Sequence, residues 1–228
     1  METLLTALSA YSTDSICILD PAISLDDYVP IDLSKDNKEL SSLNITNYQV
    51  CQQYIDLVLS RKQATIAFGG YLEERNLYND KKGFTSKSNS MRNIHLGVDF
   101  WCTAGTKVIA PLHGTVHSFK NNFALGDYGP TIILKHVLKK VPFYTLYGHL
   151  SLDSLAGLFL GKIFNAGETL GRLGTPDINV NYAPHLHFQI IEDLEGNEGD
   201  YPGVCAKSRL HFYQENCCLL YTSPSPRD

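Results

Sequence analysis

From Thr65 onward the apolar residues fall in short β-prone runs bounded by Gly, Asn, Asp or Pro: TIAFGGY, HLGVDFW, KVIAP, GTVHSF, PTIILKH, FYTLYGH and HLHFQII. Seven such runs, with little helical periodicity between them, predict a mainly β (α+β) domain of antiparallel strands. Glycines at 69, 70, 105, 114, 126, 129 and 161 sit where turns or bulges are expected. Upstream the period changes. Cys51, Tyr54, Ile55 and Val58 are spaced i, i+3, i+4, i+7 and predict one helix, about 44–61, that buries this stripe. Residues 1 to about 43 are polar and broken by Pro21 and Pro30, as suits an arm wrapped on a domain. A further short helix is expected at SLDSLAGL, with Ser151 as its N-cap.

The expected organisation is an N-terminal extension over 1–64, a β domain over 65–217 and a tail over 218–228. That tail, CLLYTSPSPRD, resembles a translated sequencing adapter, which leaves open whether the natural chain continues past Cys217 into a fused or missing C-terminal domain. At 228 residues, 43% hydrophobic and 19% charged, the chain can bury a sizeable core. A net charge of -5, without clustered Lys or Arg, gives no reason to expect a nucleic acid or an anionic membrane as partner. The first Lys or Arg is Lys35, so the amino terminus lacks the basic start of a secretory signal, and no run approaches the roughly 18 apolar residues of a membrane span. A cytoplasmic location is the resulting expectation. Six cysteines without C-x-x-C spacing predict buried thiols rather than a disulfide scaffold or a structural zinc site.

The candidate chemistry lies in polar residues set in apolar, β-prone surroundings: His95, Asp99, His149, His185 and His187. Strand side chains alternate faces, so His185 and His187 in PHLHFQ point the same way and can converge on one ion. His95 and Asp99 in HLGVD are also an even number apart, with Gly97 between them permitting close backbone approach. Imidazole and carboxylate suit zinc, and three protein ligands with one position left for water characterise a catalytic site. A single strand histidine is more often a packed or edge residue than a ligand, and these short spacings alone leave both possibilities open. His113 and His117 form a rival H-x-x-x-H, but Gly114 stands where the helical zinc-protease motif has Glu. His136 and His211 have no recognisable partner and are expected to be structural or on the surface.

The segments NIHLGVDFWCTAGTKVIAPLHGTV, GDYGPTIILKH, FYTLYGHLS and YAPHLHFQI resemble, in order, the blocks of the lysostaphin and LytM-type zinc metallopeptidases, over roughly residues 66–192. The resemblance implies an antiparallel β-sheet groove and one zinc ion per chain held by His95, Asp99 and His187. It also implies His149 and His185 as catalytic residues, and a peptide or peptidoglycan fragment as substrate for a zinc endopeptidase. Between Gly174 and His185 the chain departs from the shorter Gly-Ser-Thr-rich approach of many such enzymes. GGYLEERNLYN and DYPGVCAKSR resemble a branch that occurs alone or fused to kinase-like and aminotransferase domains. That branch supplies the alternative: a non-catalytic or accessory peptide-binding module of a larger, aminotransferase-fused protein.

Overall fold

The computed structural model describes residues 4–9, 17–77 and 91–218. In chain order its elements are α1 (Leu4–Ser9), β1 (Tyr28–Pro30), α2 (Tyr48–Lys62), β2 (Ile66–Gly69), β3 (Ile94–His95) and β4 (Val98–Trp101). There follow β5 (Lys107–Ile109), β6 (Gly114–Asn122), β7 (Gly129–Leu138), β8 (Val141–Gly148), β9 (Ile163–Phe164) and β10 (Thr169–Arg172). β11 (His185–Ile191), β12 (Val204–Cys205), α3 (Leu210–Asn216) and β13 (Cys217–Cys218) complete the described residues. The class is mainly β, as the alternating runs predict.

One large sheet carries the order β1-β2-β4-β11-β8-β7-β6-β9, with β13 also pairing β11. Within it only β1 and β2 run parallel; the other pairs are antiparallel. The central strand β11 is buried on both faces, and its alternation sorts the side chains. Leu186 and Phe188 enter a core shared with Ile132, Leu134 and Tyr147. His185, His187 and Gln189 take the opposite face. A separate β12–β3 ribbon brings His95, opposite Val204, towards that face.

The sequence stripe of α2 buries Cys51, Tyr54 and Ile55, and Val58 packs half-buried beside them. Asn47 caps this helix, its Oδ1 accepting from the Gln49 and Val50 amides at 2.9 and 3.3 Å. The stripe packs against Ile31, Leu33, Ala67 and Trp101, so the extension shares a core with the sheet. β1, inside the expected arm, joins that sheet edge directly, in register Val29 to Ala67. The helix expected after His149 is one 3-10 turn, Leu152–Leu155. Ser151 sits at its N-cap position, but its hydroxyl bonds Ser154 Oγ at 2.8 Å instead of a backbone amide. Cys102 and Cys205 are buried, and burial pushes each thiol up to about 11. Residues 219–228 of the expected tail lie outside the described residues. No described helix is long and apolar enough to cross a membrane.

Candidate metal centre

Strand register brings the sequence candidates together. Asp99 on β4 lies directly opposite His187 on β11, which on its other side faces Gly148 at the end of β8. Between His95 and Asp99 the chain turns through Gly97, where a Cβ would lie 2.6 Å from the Phe188 carbonyl oxygen and 2.7 Å from the His187 ring. Only a residue without a side chain allows this approach. As a result one ligand atom from each of His95, Asp99 and His187 lies within 4.8 Å of the others, all three residues being buried.

The donor atoms form a small triangle. His95 Nε2 is 2.9 Å from His187 Nδ1 and 3.3 Å from Asp99 Oδ1, and His187 Nδ1 is 3.2 Å from the same Oδ1. A tetrahedral zinc with ligands at about 2.0–2.2 Å sets neighbouring donors about 3.3–3.6 Å apart, so a slight expansion of the triangle admits the ion. The outward atoms explain why the inner ones suit a cation. His95 Nδ1 donates to the Gly70 carbonyl at 3.0 Å, which leaves its Nε2 with a lone pair in the neutral imidazole. His187 Nε2 faces Gln189 Oε1 at 3.0 Å, and the amide is oriented by Nε2 donating to the Pro202 carbonyl at 3.2 Å. His187 Nδ1 therefore also points inward as a lone pair. Arg75 Nη1 donates to Asp99 Oδ2 at 2.6 Å, leaving Oδ1 for the triangle. Three acceptors thus converge with no proton to share, a repulsive arrangement that a divalent cation relieves. Each of the three candidate ligands is oriented from behind, the arrangement expected of a metal site.

Electrostatics keep these candidate ligands in the forms a cation would bind. Burial, helped by the Arg75 charge, pulls His95 down to about 4, so it is neutral near pH 7. Burial alone would raise Asp99, but its neighbours, His95 first and then Arg75 and His185, hold its carboxyl well below the usual range. Because His95 is itself neutral at pH 7, the permanent charge of Arg75 is the attraction that persists there.

The other two histidines border the triangle. His185 Nδ1 donates to the Ala183 carbonyl at 2.7 Å, and its Nε2 stands 3.9 Å from Asp99 Oδ1. Burial pulls it down to about 4. Trp101, opposite it in register, stacks on its ring at 4.0 Å between centroids. His149 lies 4.1 Å from His185, ring to ring, and burial, with the neighbouring His185 and His187, holds it well below its ordinary value. Its backbone has φ +63°, a strained conformation for a non-glycine residue, pinned by bonds from His149 N to the Tyr128 carbonyl and from Gly174 N to the His149 carbonyl. His149 Nδ1 is buried without a hydrogen-bond partner. A cavity of about 310 Å³ opens over all five residues, with Tyr128 and Tyr182 in its wall.

The rival pair does not assemble: His117 bonds Ser118 Oγ on β6 at 2.9 Å, while the His113 carbonyl accepts from His136. His136 is buried and structural, bridging that carbonyl to Thr145 Oγ1, and His211 is exposed on α3. Sequence reasoning missed Arg75, Gly70 and Gln189. For Gln189 a signal existed, since it stands two residues beyond His187 and so on the same strand face. For Arg75 none did, because LEERN has the composition of a solvated turn.

Fold and site together define an antiparallel β-sheet domain with a candidate metal site of two histidines and one carboxylate. Residues 93–200 match the model of Peptidase family M23. A stretch of 95 residues is 35% identical to an uncharacterized metalloprotease of Haemophilus influenzae, covering 42% of this chain and 18% of that protein. The chain thus spans less than a fifth of that relative's length. Among solved structures, the catalytic domain of the antimicrobial peptidase lysostaphin from Staphylococcus simulans is 24% identical, with TM-score 0.36, covering 54% of this chain and 80% of that one. A zinc containing peptidase from Vibrio cholerae is 21% identical, with TM-score 0.36, covering 46% and 29%.

Proposed function

We propose that the chain is a zinc-dependent endopeptidase for short peptides of the peptidoglycan type. The observation that carries this reading is the convergence of three buried lone pairs, from His95, Asp99 and His187, beside two further histidines in one cavity. Bound zinc supplies a Lewis acid for a scissile carbonyl and makes water acidic enough to ionise near neutrality.

The rest of the chemistry belongs to the chain. His185 Nδ1 is committed to Ala183, so Nε2 is the atom that takes a proton from the attacking water and returns it to the leaving amine. Its place against Trp101 fixes the ring for that transfer. His149, with Nδ1 unpartnered and its backbone pinned, offers an N–H to the carbonyl oxygen as negative charge develops there. Tyr128 and Tyr182 are held by hydrogen bonds from their hydroxyls to the Tyr201 and Gly126 carbonyls, so they act as fixed walls for an extended peptide.

The test is hydrolysis of cross-linked muropeptides and Gly-rich peptides by zinc-loaded protein, by chelated protein and by His149→Ala. Zinc-loaded wild type should cleave, chelated protein should not, and His149→Ala should retain zinc with turnover lowered about 10²- to 10⁴-fold. Zinc-loaded wild type that binds these peptides and cleaves none would favour the accessory-module reading.

A further inference from the structure

The metal triangle is oriented in part by residues that lie outside the matched segment 93–200. Gly70, which fixes the His95 ring, and Arg75, which holds Asp99, both come from the stretch after β2. Arg75 is almost fully buried, at 1% exposure, and lies between two carboxylates, Glu73 through Nε and Asp99 through Nη1. Glu73 is anchored in turn, for its Oε1 accepts the Leu33 amide at 3.0 Å. Leu33 is buried in the core formed by the arm and α2. The next arm residues are tied to the same turn, with Lys35 N donating to the Glu74 carbonyl and Lys35 Nζ pairing with Glu74, both at 2.8 Å.

We propose that Arg75 is a positioning residue of the metal centre, clamped by Glu73 and the N-terminal arm so that Asp99 offers a single oxygen to the ion. A carboxylate facing a cation can turn either oxygen, or both, towards it. A guanidinium on Oδ2 removes that freedom, because its planar fork fixes direction as well as charge. Glu73 holds the guanidinium from the far side and offsets its charge, so the clamp adds little net repulsion against the ion. The extension therefore contributes to the site through Glu73 and Arg75, although it supplies none of the three ligands.

The sign of the effect separates this role from that of a mere neighbouring charge. A cation beside a metal site repels the metal, so removing it should tighten binding if charge alone mattered. Positioning predicts the opposite.

The inference rests on the zinc reading above, and its test reads metal affinity rather than activity. Zinc dissociation constants are measured by chelator competition on the full chain, for wild type, Arg75→Met, Arg75→Lys, Glu73→Gln and the Arg75→Met/Glu73→Gln double variant. Asn47→Ala, a helix-cap change distant in sequence, controls for lost stability. Arg75→Met should weaken zinc about 10- to 100-fold, the range for outer-shell partners of metal ligands. Arg75→Lys should restore part of that, Glu73→Gln should weaken binding by a smaller factor, and the double variant should be no worse than Arg75→Met alone. Unchanged or tighter binding in Arg75→Met and Glu73→Gln, with wild type binding zinc normally, overturns the positioning role and leaves the zinc reading intact. A loss in Asn47→Ala as large as theirs overturns it as well. If Arg75→Met does not fold, Glu73→Gln and Arg75→Lys decide by the same criteria. A wild type that takes no zinc sinks both this role and the zinc reading.

Discussion

At the scale of residues the site is governed by where lone pairs and protons sit. His95 and His185 are pulled down to about 4 by burial, whereas an exposed histidine titrates near about 6.5. Between those values the unfolded chain binds protons that the zinc-free folded chain refuses, so folding stability falls as pH is lowered through that window. Each of the two histidines contributes a slope of about 1.4 kcal/mol per pH unit there. Urea unfolding of chelated protein between pH 7 and 4 checks this, and a flat midpoint across the window would contradict it. The candidate site residues were legible in the sequence because strand alternation puts His185 and His187 on one face. The partners that orient them were not. A buried Arg75 between two carboxylates leaves no periodic trace, since its burial depends on an arm more than thirty residues earlier in the chain.

Elements turn local propensity into that geometry. The β runs were readable from their alternation and their Gly and Pro boundaries, but pairing register, which sets Asp99 opposite His187, depends on contacts remote in sequence. β1 escaped notice because three residues ending in Pro give no pattern, yet it lies on a sheet edge, where Pro is tolerated. The helix α2 was visible as a stripe, and its role is to back Trp101, the residue stacked on His185. Removing its cap with Asn47→Ala frees two amides and should cost about 1 kcal/mol of stability. Denaturant midpoints measure that change, and a loss of several kcal/mol would show that Asn47 does more than cap.

For the molecule as a whole, the segment that matches the peptidase family carries the four candidate-site histidines and Asp99, while the stretch just before it supplies Gly70 and Arg75 behind two of the candidate ligands. Cutting the chain at the family boundary would therefore divide a single site. The account depends on one ion resting among His95 Nε2, Asp99 Oδ1 and His187 Nδ1. Anomalous diffraction at the zinc edge from zinc-soaked crystals of the full chain tests this most directly. One strong peak within bonding distance of all three atoms is predicted, and it should disappear in His187→Ala but persist in His149→Ala. A peak elsewhere, or none at this site, would contradict the account.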